Sequence, residues 1–340
     1  MTATAPTPSP SDRRSLRVVL AGNIVTANEE RLRAKADFPV EITCLPDGAP
    51  DALREAALAH ADAMVCIRLR HAPPAGSPLR LVQLQSAGYD GIDFARVPHG
   101  ATVCNAFGHT NAIAEYVVMT MLMWTHRWKA VEESFRAGSW EYSGAMVGPL
   151  RDELAGKTVG ILGYGQMGAA IAARARAMDT RVIACSRQTK PAADVDAFLP
   201  LERLDEFLGR CDFVVVCIAH VPETTGLIDA RRLARMKRDA VLVNVARGPV
   251  VVEQDFYEAL AGGTIAGAVI DVWWRYPDAS DPRPRGSRFP FHELPNVLMT
   301  PHSSGWTEQM MDRRWDMIVE NLRALWRGEP LRNVVRAAGT

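Results

Sequence analysis

Gly163-Tyr-Gly165-Gln166-Met167-Gly168 sits between the apolar run "KTVGIL" and the Ala-rich stretch "AAIAARARAM". A strand that turns through glycines at this spacing into a helix offers backbone N–H groups and the positive end of the helix dipole to an anion. The first glycine permits the tight turn, the second lets the backbone approach a pyrophosphate, and the third allows close helix–strand packing. With a strand before it and a helix after it, the spacing points to a dinucleotide. The end of the following strand bears on which one. NAD sites place an Asp or Glu there for the adenosine ribose hydroxyls, whereas "RVIACSRQTK" offers Ser186, Arg187 and, nearby, Lys190. A carboxylate would repel a 2′-phosphate and these residues would bind one, so NADP is expected in preference to NAD, with NAD use still open.

Around this motif, apolar runs alternate with helical stretches. "LRVVLAG", "VEITCL", "ADAMVCI", "LRLVQLQS" and "ATVCN" form a first series. "TVGILG", "TRVIACSR", "CDFVVVCIA", "AVLVNVARG", "TIAGAVIDV" and "NVLMTPH" form a second. Strand–helix alternation of this kind predicts parallel sheets with helices on their faces. At 340 residues the chain suggests two domains of about 150 residues each. The expected class is α/β, with two doubly wound parallel-sheet domains, the larger a Rossmann dinucleotide-binding domain. A long apolar helix is expected from about Asn111 to Phe135, and a last helix with Met311, Trp315, Ile318, Leu322 and Leu325 on one stripe, stopping at Gly328 and Pro330.

Bulk composition excludes several classes of function. The 39 basic residues balance 39 acidic ones, which gives no reason to expect nucleic acid or an anionic membrane as partner. No apolar run reaches the roughly 18 residues needed to cross a bilayer. Residues 1–15, "MTATAPTPSPSDRRS", have the composition of a disordered tail without the apolar core of a signal peptide. The 6 cysteines contain no Cys-x-x-Cys pair and most fall in strand-like runs, as buried thiols of a reducing cytoplasm would. The 8 histidines show no zinc-site spacing, so no metal is expected.

Several further stretches carry a resemblance. They are "SAGYDGID" (86–93), "NAIAEYVV" (111–118), "ELAGKTVGILGYGQMG" (153–168), "VNVARGPVVVE" (243–253), "AGAVIDVW" (266–273) and "TPHSSG" (300–305). In this order they resemble the D-isomer-specific 2-hydroxyacid dehydrogenases over nearly the whole chain. The resemblance implies a substrate domain from residues 16–104 plus 306–340 and a dinucleotide-binding domain from residues 105–305. It implies hydride transfer between a nicotinamide and a small 2-hydroxy or 2-keto acid. Such a reduction needs a fixed cation for the carboxylate and a proton for the developing alkoxide. Arg247, in the "ARG" motif, is the expected clamp, since its planar fork binds a carboxylate at two points as Lys cannot. His302 matches the family's proton donor. The cofactor is expected to meet Gly163, Gly165, Gln166, Met167, Gly168, Ser186, Arg187, Ala219, His220, Val245, Ala246 and Asp271. His220 is explained equally by packing, and Asp271 by bonds to nearby backbone amides.

In most of the family, the position five residues after that Asp holds a Glu that bonds the catalytic His and raises its pKa. In "AGAVIDVWWRYPD" (266–278) that position is Tyr276. A neutral phenol still orients an imidazole but contributes no negative charge, so the His pKa should fall. Alternatively Tyr276 lines the substrate pocket, or activity is lost, and Glu293 is a possible substitute carboxylate from another loop. On the substrate side, Arg68 and Arg70 in "CIRLRH", Gly88 in "SAGYDG" and His109 are the expected contacts, with a solvated surface role equally open for Arg68. Trp273 and Trp274 read mainly as packing. A formate dehydrogenase-like enzyme, suggested by the neutral position 276, and a dinucleotide-sensing corepressor-type protein are the alternatives. Family resemblance implies a homodimer, with the Ala112–Trp124 helix as a contact.

Overall fold

The computed structural model describes residues 14–69, 71–187, 192–278 and 280–339; Arg70, Lys190 and most of the expected tail lie outside them. In chain order the elements are β1 (Leu16–Ala21), α1 (Asn23–Thr26), α2 (Glu29–Lys35), β2 (Val40–Leu45), α3 (Asp51–Leu58), β3 (Ala63–Cys66), β4 (Leu81–Leu84) and β5 (Thr102–Cys104). There follow α4 (Thr110–Thr125), α5 (Trp128–Arg136), β6 (Thr158–Leu162), α6 (Gln166–Arg176), β7 (Arg181–Cys185), β8 (Ala197–Leu199), α7 (Leu204–Arg210) and β9 (Phe213–Val216). Last come α8 (Ala230–Leu233), β10 (Val241–Asn244), α9 (Glu253–Ala261), β11 (Gly267–Ile270), β12 (Val297–Met299), α10 (Glu308–Arg327) and β13 (Val334–Arg336). They form two compact units, one of residues 1–108 and 307–340, the other of residues 109–306. Both are parallel-sheet α/β structures, as the alternating runs predict.

The first unit is built on a six-stranded sheet in the order β13-β5-β4-β3-β1-β2. Every pair is parallel except β13, which runs antiparallel to β5. The apolar stripe of α10 packs Met311, Trp315, Ile318, Leu322 and Leu325 against Leu16, Val18, Leu20 and Leu32. Thr307 caps the start of α10 by accepting a hydrogen bond from the Met310 amide at 3.2 Å. Gly328 ends it in the left-handed region at φ 72°, where a side chain would be strained.

The second unit carries a seven-stranded parallel sheet in the order β12-β11-β10-β9-β6-β7-β8. Alternate residues of its strands feed two cores. Val215 and Val243 pack with Ile113, Val117, Met121, Ile171 and Ala175 of α4 and α6. Val214, Val216 and Leu242 pack with Leu204, Phe207, Phe256 and Leu260 of α7 and α9. Burial on both faces explains why these strands read as unbroken apolar runs. The chain lays down β6, β7 and β8 outward on one side, then returns to place β9 beside β6. That reversal opens a crevice at the carboxyl ends of β6 and β9, the position where such sheets bind ligands.

One expectation needs correction, and two elements were missed. The single helix expected over 111–135 is two helices, because Arg127 adopts φ 48° between them. The apolar residues that bury α4 stop at its end, whereas "WKAVEESFR" of α5 has no buried residue to hold it in line. The short edge strands β8 and β13 were not anticipated.

Trp315 is fully buried, and among the described residues its Nε1–H has no acceptor. Trp315→Ala is expected to destabilise by about 3–5 kcal/mol through the cavity it leaves. Trp315→Phe should cost no more than about 1 kcal/mol, since removing the unsatisfied donor offsets part of the lost packing. Urea unfolding midpoints of the two variants check this, and a loss well above about 1 kcal/mol in Trp315→Phe would show that the orphan donor has no weight.

Candidate active site

The loops after β6, β9, β10, β11 and β12 all emerge at the crevice edge of the second sheet, and the glycine turn is the first of them. Gly163 has φ 99°, and a Cβ on it would stand 2.6 Å from the Ile218 backbone after β9. A Cβ on Gly168 would stand 2.4 Å from the Gly163 carbonyl oxygen, so this glycine lets α6 close onto the turn. At Gly165 a Cβ would meet nothing within 4 Å. Here the backbone leaves open space at the start of α6, which fits a pyrophosphate resting on a helix N-terminus. Ser186 follows β7 and is buried, with Arg187 exposed beside it.

Asp271 ends β11 and is fully buried. Its Oδ1 accepts hydrogen bonds from Thr300 Oγ1 at 2.5 Å and the Ser303 amide at 2.8 Å. Oδ2 accepts from the Ser304 amide at 3.1 Å and from the Ser304 hydroxyl. Tyr116 of α4 shares a further bond with Thr300 Oγ1 at 2.6 Å. These contacts fix the segment after β12 in a shape that puts His302 at φ 57°, a strained conformation for a residue with a side chain.

The His302 ring meets Tyr276 through a 2.8 Å bond between Nδ1 and the phenol oxygen. That oxygen also accepts the Trp273 amide at 3.2 Å. The Tyr276 loop is pinned in turn. Gly286, at φ 80°, accepts the Trp274 and Arg275 amides at 3.1 and 2.9 Å, and a Cβ on it would stand 2.5 Å from the Trp273 ring. Glu253 of α9 accepts the Ser287 hydroxyl at 2.7 Å and the Arg288 amide at 3.0 Å.

Arg247 follows β10, in a turn that Asn244 holds by accepting the Ala246 amide and donating to the Arg247 carbonyl, both at 3.1 Å. Loss of hydration is the largest influence on the His302 pKa and lowers it; Asp271 acts in the opposite sense, and the Arg247 cation lowers it again. The net direction is below the ordinary imidazole value. Three loops from distant parts of the chain thus bring a guanidinium, an imidazole and a phenol into one electrostatic neighbourhood.

Residues 118–304 match the model of the D-isomer specific 2-hydroxyacid dehydrogenase, NAD binding domain. Over 256 residues the chain is 34% identical to the glyoxylate reductase of Pyrococcus furiosus, covering 74% of each chain. The chain belongs to the D-isomer-specific 2-hydroxyacid dehydrogenase family. It is an NAD(P)-dependent oxidoreductase that moves a hydride between a nicotinamide and a small 2-hydroxy or 2-keto acid. Glycerate dehydrogenase of Methylorubrum extorquens is 34% identical over 264 residues, covering 76% of this chain and 79% of that one. The family member from Xanthobacter autotrophicus, solved in complex with NADPH and MES, shares the fold at a TM-score of 0.74 and 30% identity, covering 95% of this chain and 98% of that one. Neither the formate dehydrogenase-like nor the corepressor-type reading is favoured by these relatives.

Within this dehydrogenase the other expected residues take varied places. The Ala219 carbonyl accepts the Thr224 hydroxyl at 2.8 Å, and His220 shares a 2.9 Å bond with Thr225, both in the loop after β9. Val245 and Ala246 are buried at the end of β10. His109 leads into α4, and its Cβ lies 3.2 Å from where a Cβ on Gly305 would stand, beside the His302 loop. Arg68 and Gly88 belong to the other unit. Arg68 is exposed and lies over Gly91, while the Gly88 carbonyl accepts the Ser86 hydroxyl at 2.7 Å.

Glu293 does not replace the missing carboxylate: it is exposed and faces His292 at 3.5 Å, and the charges that act on His302 are those of Asp271 and Arg247. Trp273 and Trp274 pack as expected, donating to the Thr300 carbonyl at 2.8 Å and the Val251 carbonyl at 3.0 Å. Sequence reading missed Tyr116, Thr300, Ser303 and Ser304. Hydroxyl residues crowded around "TPHSSG" were the available signal.

The open space over Gly165 gives a direct test of cofactor placement. Gly165→Val should fold normally yet weaken NADPH binding at least about tenfold, because its side chain enters the space a pyrophosphate would fill. Gly163→Val should instead lower thermal stability, since it collides with the Ile218 backbone. Fluorescence titration and melting curves separate the two, and unaltered binding in Gly165→Val would place the pyrophosphate elsewhere.

Proposed function

We propose that this dehydrogenase reduces small 2-keto acids of the glyoxylate and hydroxypyruvate type, with NADPH preferred over NADH. Arg247 binds the substrate carboxylate and His302 serves as acid/base through Nε2. The observation that carries the reading is the 2.8 Å bond fixing His302 at Nδ1, on a loop within electrostatic reach of Arg247. A ring held at one nitrogen is oriented at the other, as an acid/base group must be. The resemblance to glyoxylate reductase and glycerate dehydrogenase supports the substrate class.

Amides of Gly165, Gln166 and Met167 would hold the pyrophosphate, with Gly163 and Gly168 shaping the turn. Ser186 and Arg187 would receive a 2′-phosphate. Ala219, His220, Val245 and Ala246 would line the cofactor's path, and Asp271 would act by ordering the His302 loop. When bound, the nicotinamide supplies the hydride for reduction. Arg68, Gly88 and His109 are proposed to meet the substrate, and the two compact units are proposed to serve as substrate and cofactor domains.

A homodimer and a cytoplasmic location complete the proposal. Exposed Met119, Trp128, Phe135, Trp140, Met146, Val147 and Leu150 crowd one stretch of chain, with Val147 at 92% and Leu150 at 95% exposure. Met119, Leu122, Met123, Trp128 and Met178 line an apolar groove along α4. So much apolar surface in one region fits a subunit contact. All six cysteines are free, which suits a reducing compartment. No helix of the described residues is long and apolar enough to cross a membrane.

A panel of glyoxylate, hydroxypyruvate, pyruvate and phenylpyruvate with NADPH and NADH tests the activity. Turnover of the smaller acids with NADPH is expected, and Arg247→Lys should lower kcat/KM about 100-fold. A tenfold preference for NADH would overturn the cofactor assignment; cofactor binding without any turnover would mark a sensor. For the subunit contact, light scattering should show a dimer in the wild type and monomers in the double variant Val147→Asp/Leu150→Asp. A wild-type monomer, or a variant that stays dimeric, would remove this surface from the interface.

A further inference from the structure

The Tyr276–His302 bond has two possible polarities, and they give His302 different chemistry. An ionised carboxylate at position 276 would be acceptor-only and would force the proton of a neutral ring onto Nδ1. A phenol can donate. A phenol, titrating near about 10, is a far stronger acid than the N–H of a neutral imidazole, and the bare ring nitrogen is a far stronger base than a phenol oxygen, so in the neutral pair the phenol is the favoured donor. The Trp273 amide, which can only donate, occupies one lone pair of the Tyr276 oxygen at 3.2 Å. Accepting that bond polarises the O–H and strengthens it as a donor toward Nδ1, 2.8 Å away.

We propose that Tyr276 donates its hydroxyl proton to His302 Nδ1, holding the neutral ring as the Nε2–H tautomer and serving as a proton reservoir behind it. This inference rests on His302 being the acid/base. Tyr276 is a positioning residue, since it acts through the imidazole. During reduction the substrate carbonyl carbon gains the hydride and its π pair moves to oxygen. The oxygen takes the proton from Nε2, whose bonding pair stays on the ring. Nδ1 takes the phenol proton, and the O–H pair remains on the Tyr276 oxygen, where the Trp273 amide stabilises it until solvent returns a proton. One hydride and one proton are added, and no imidazolium is needed at any point.

The charges around the pair fit a neutral resting ring. Asp271, from β11, faces His302 and favours the cation, but its carboxylate is bonded to Thr300, Ser303 and Ser304. Arg247, from the loop after β10, and burial both disfavour it. His109 lies beside Gly305 at the end of the same loop. Next to Tyr276, exposed Arg275 pairs with Asp281 at 3.3 Å, and Asp278 accepts the Ser280 and Asp281 amides. An imidazolium donor with a lowered pKa becomes scarcer as pH rises above that pKa. A ring that donates while neutral does not.

Two measurements decide the proposal. In cofactor-free protein with 15N-labelled histidine, long-range proton–nitrogen correlation, assigned with His302→Gln, should show His302 protonated at Nε2 and bare at Nδ1 in the neutral range. Tyr276→Glu should move the neutral ring's proton to Nδ1. For keto acid reduction, wild-type kcat/KM should change less than about twofold between pH 6 and 8, whereas Tyr276→Phe, which keeps the ring but loses the donor, should fall about tenfold per pH unit above about 6.5. A wild-type ring protonated at Nδ1, or a wild-type profile parallel to that of Tyr276→Phe, overturns the proposal. Absence of turnover with every keto acid would strike the proposed function instead, and the nitrogen spectrum would still decide the tautomer.

Discussion

One buried carboxylate organises the site. Asp271 lies at the end of β11, out of contact with water, where an unsatisfied negative charge would be prohibitively costly. Two backbone amides and two hydroxyls from residues 300–304 satisfy it. The same four bonds that solvate the charge also dictate the path of the loop after β12. His302 is the residue that this path forces into the left-handed region, where a side chain is tolerated only when its surroundings over-determine it. The position of the imidazole is therefore a consequence of how a strand-end charge is neutralised.

Around that anchor the sheet performs a sorting task. Parallel strands direct all their carboxyl ends to one edge, so loops as far apart in sequence as Gly163 and His302 arrive together. The glycine turn, the Arg247 loop, the Tyr276 loop and the His302 loop each come from a different strand of one sheet. Rigidity comes from the double-sided apolar burial of β9, β10 and β11, and the loops add chemistry without disturbing it. Arg247 illustrates the division: Asn244, at the end of β10, braces its backbone from both sides through one side chain.

The fold was largely legible because burial on two faces writes itself into sequence as continuous apolar runs, and the β6–β12 series shows them plainly. Two short edge strands left no such trace. β8 and β13 are three-residue edges, and the break at Arg127 is a backbone event that hydrophobic pattern cannot register. In the site, Arg247, His302 and Tyr276 were visible through their motifs. The role of Asp271 was readable only as one of two options, because its choice of partners depends on a loop returning from thirty residues further on. Glu293 looked eligible in sequence and points elsewhere, which no residue count could reveal.

The partner of the His302 imidazole is carried on irregular backbone between β11 and β12, clamped by Gly286 against Trp273 and moored to α9 through Glu253. Such a segment follows a different strand from the one that carries the glycine turn. With His302 as the proposed acid/base, exchanging that single loop side chain would shift the acidity range of turnover while the glycine turn, carried by another strand, keeps its shape. Tuning to a new chemical milieu is thereby uncoupled from the scaffold that makes hydride transfer possible.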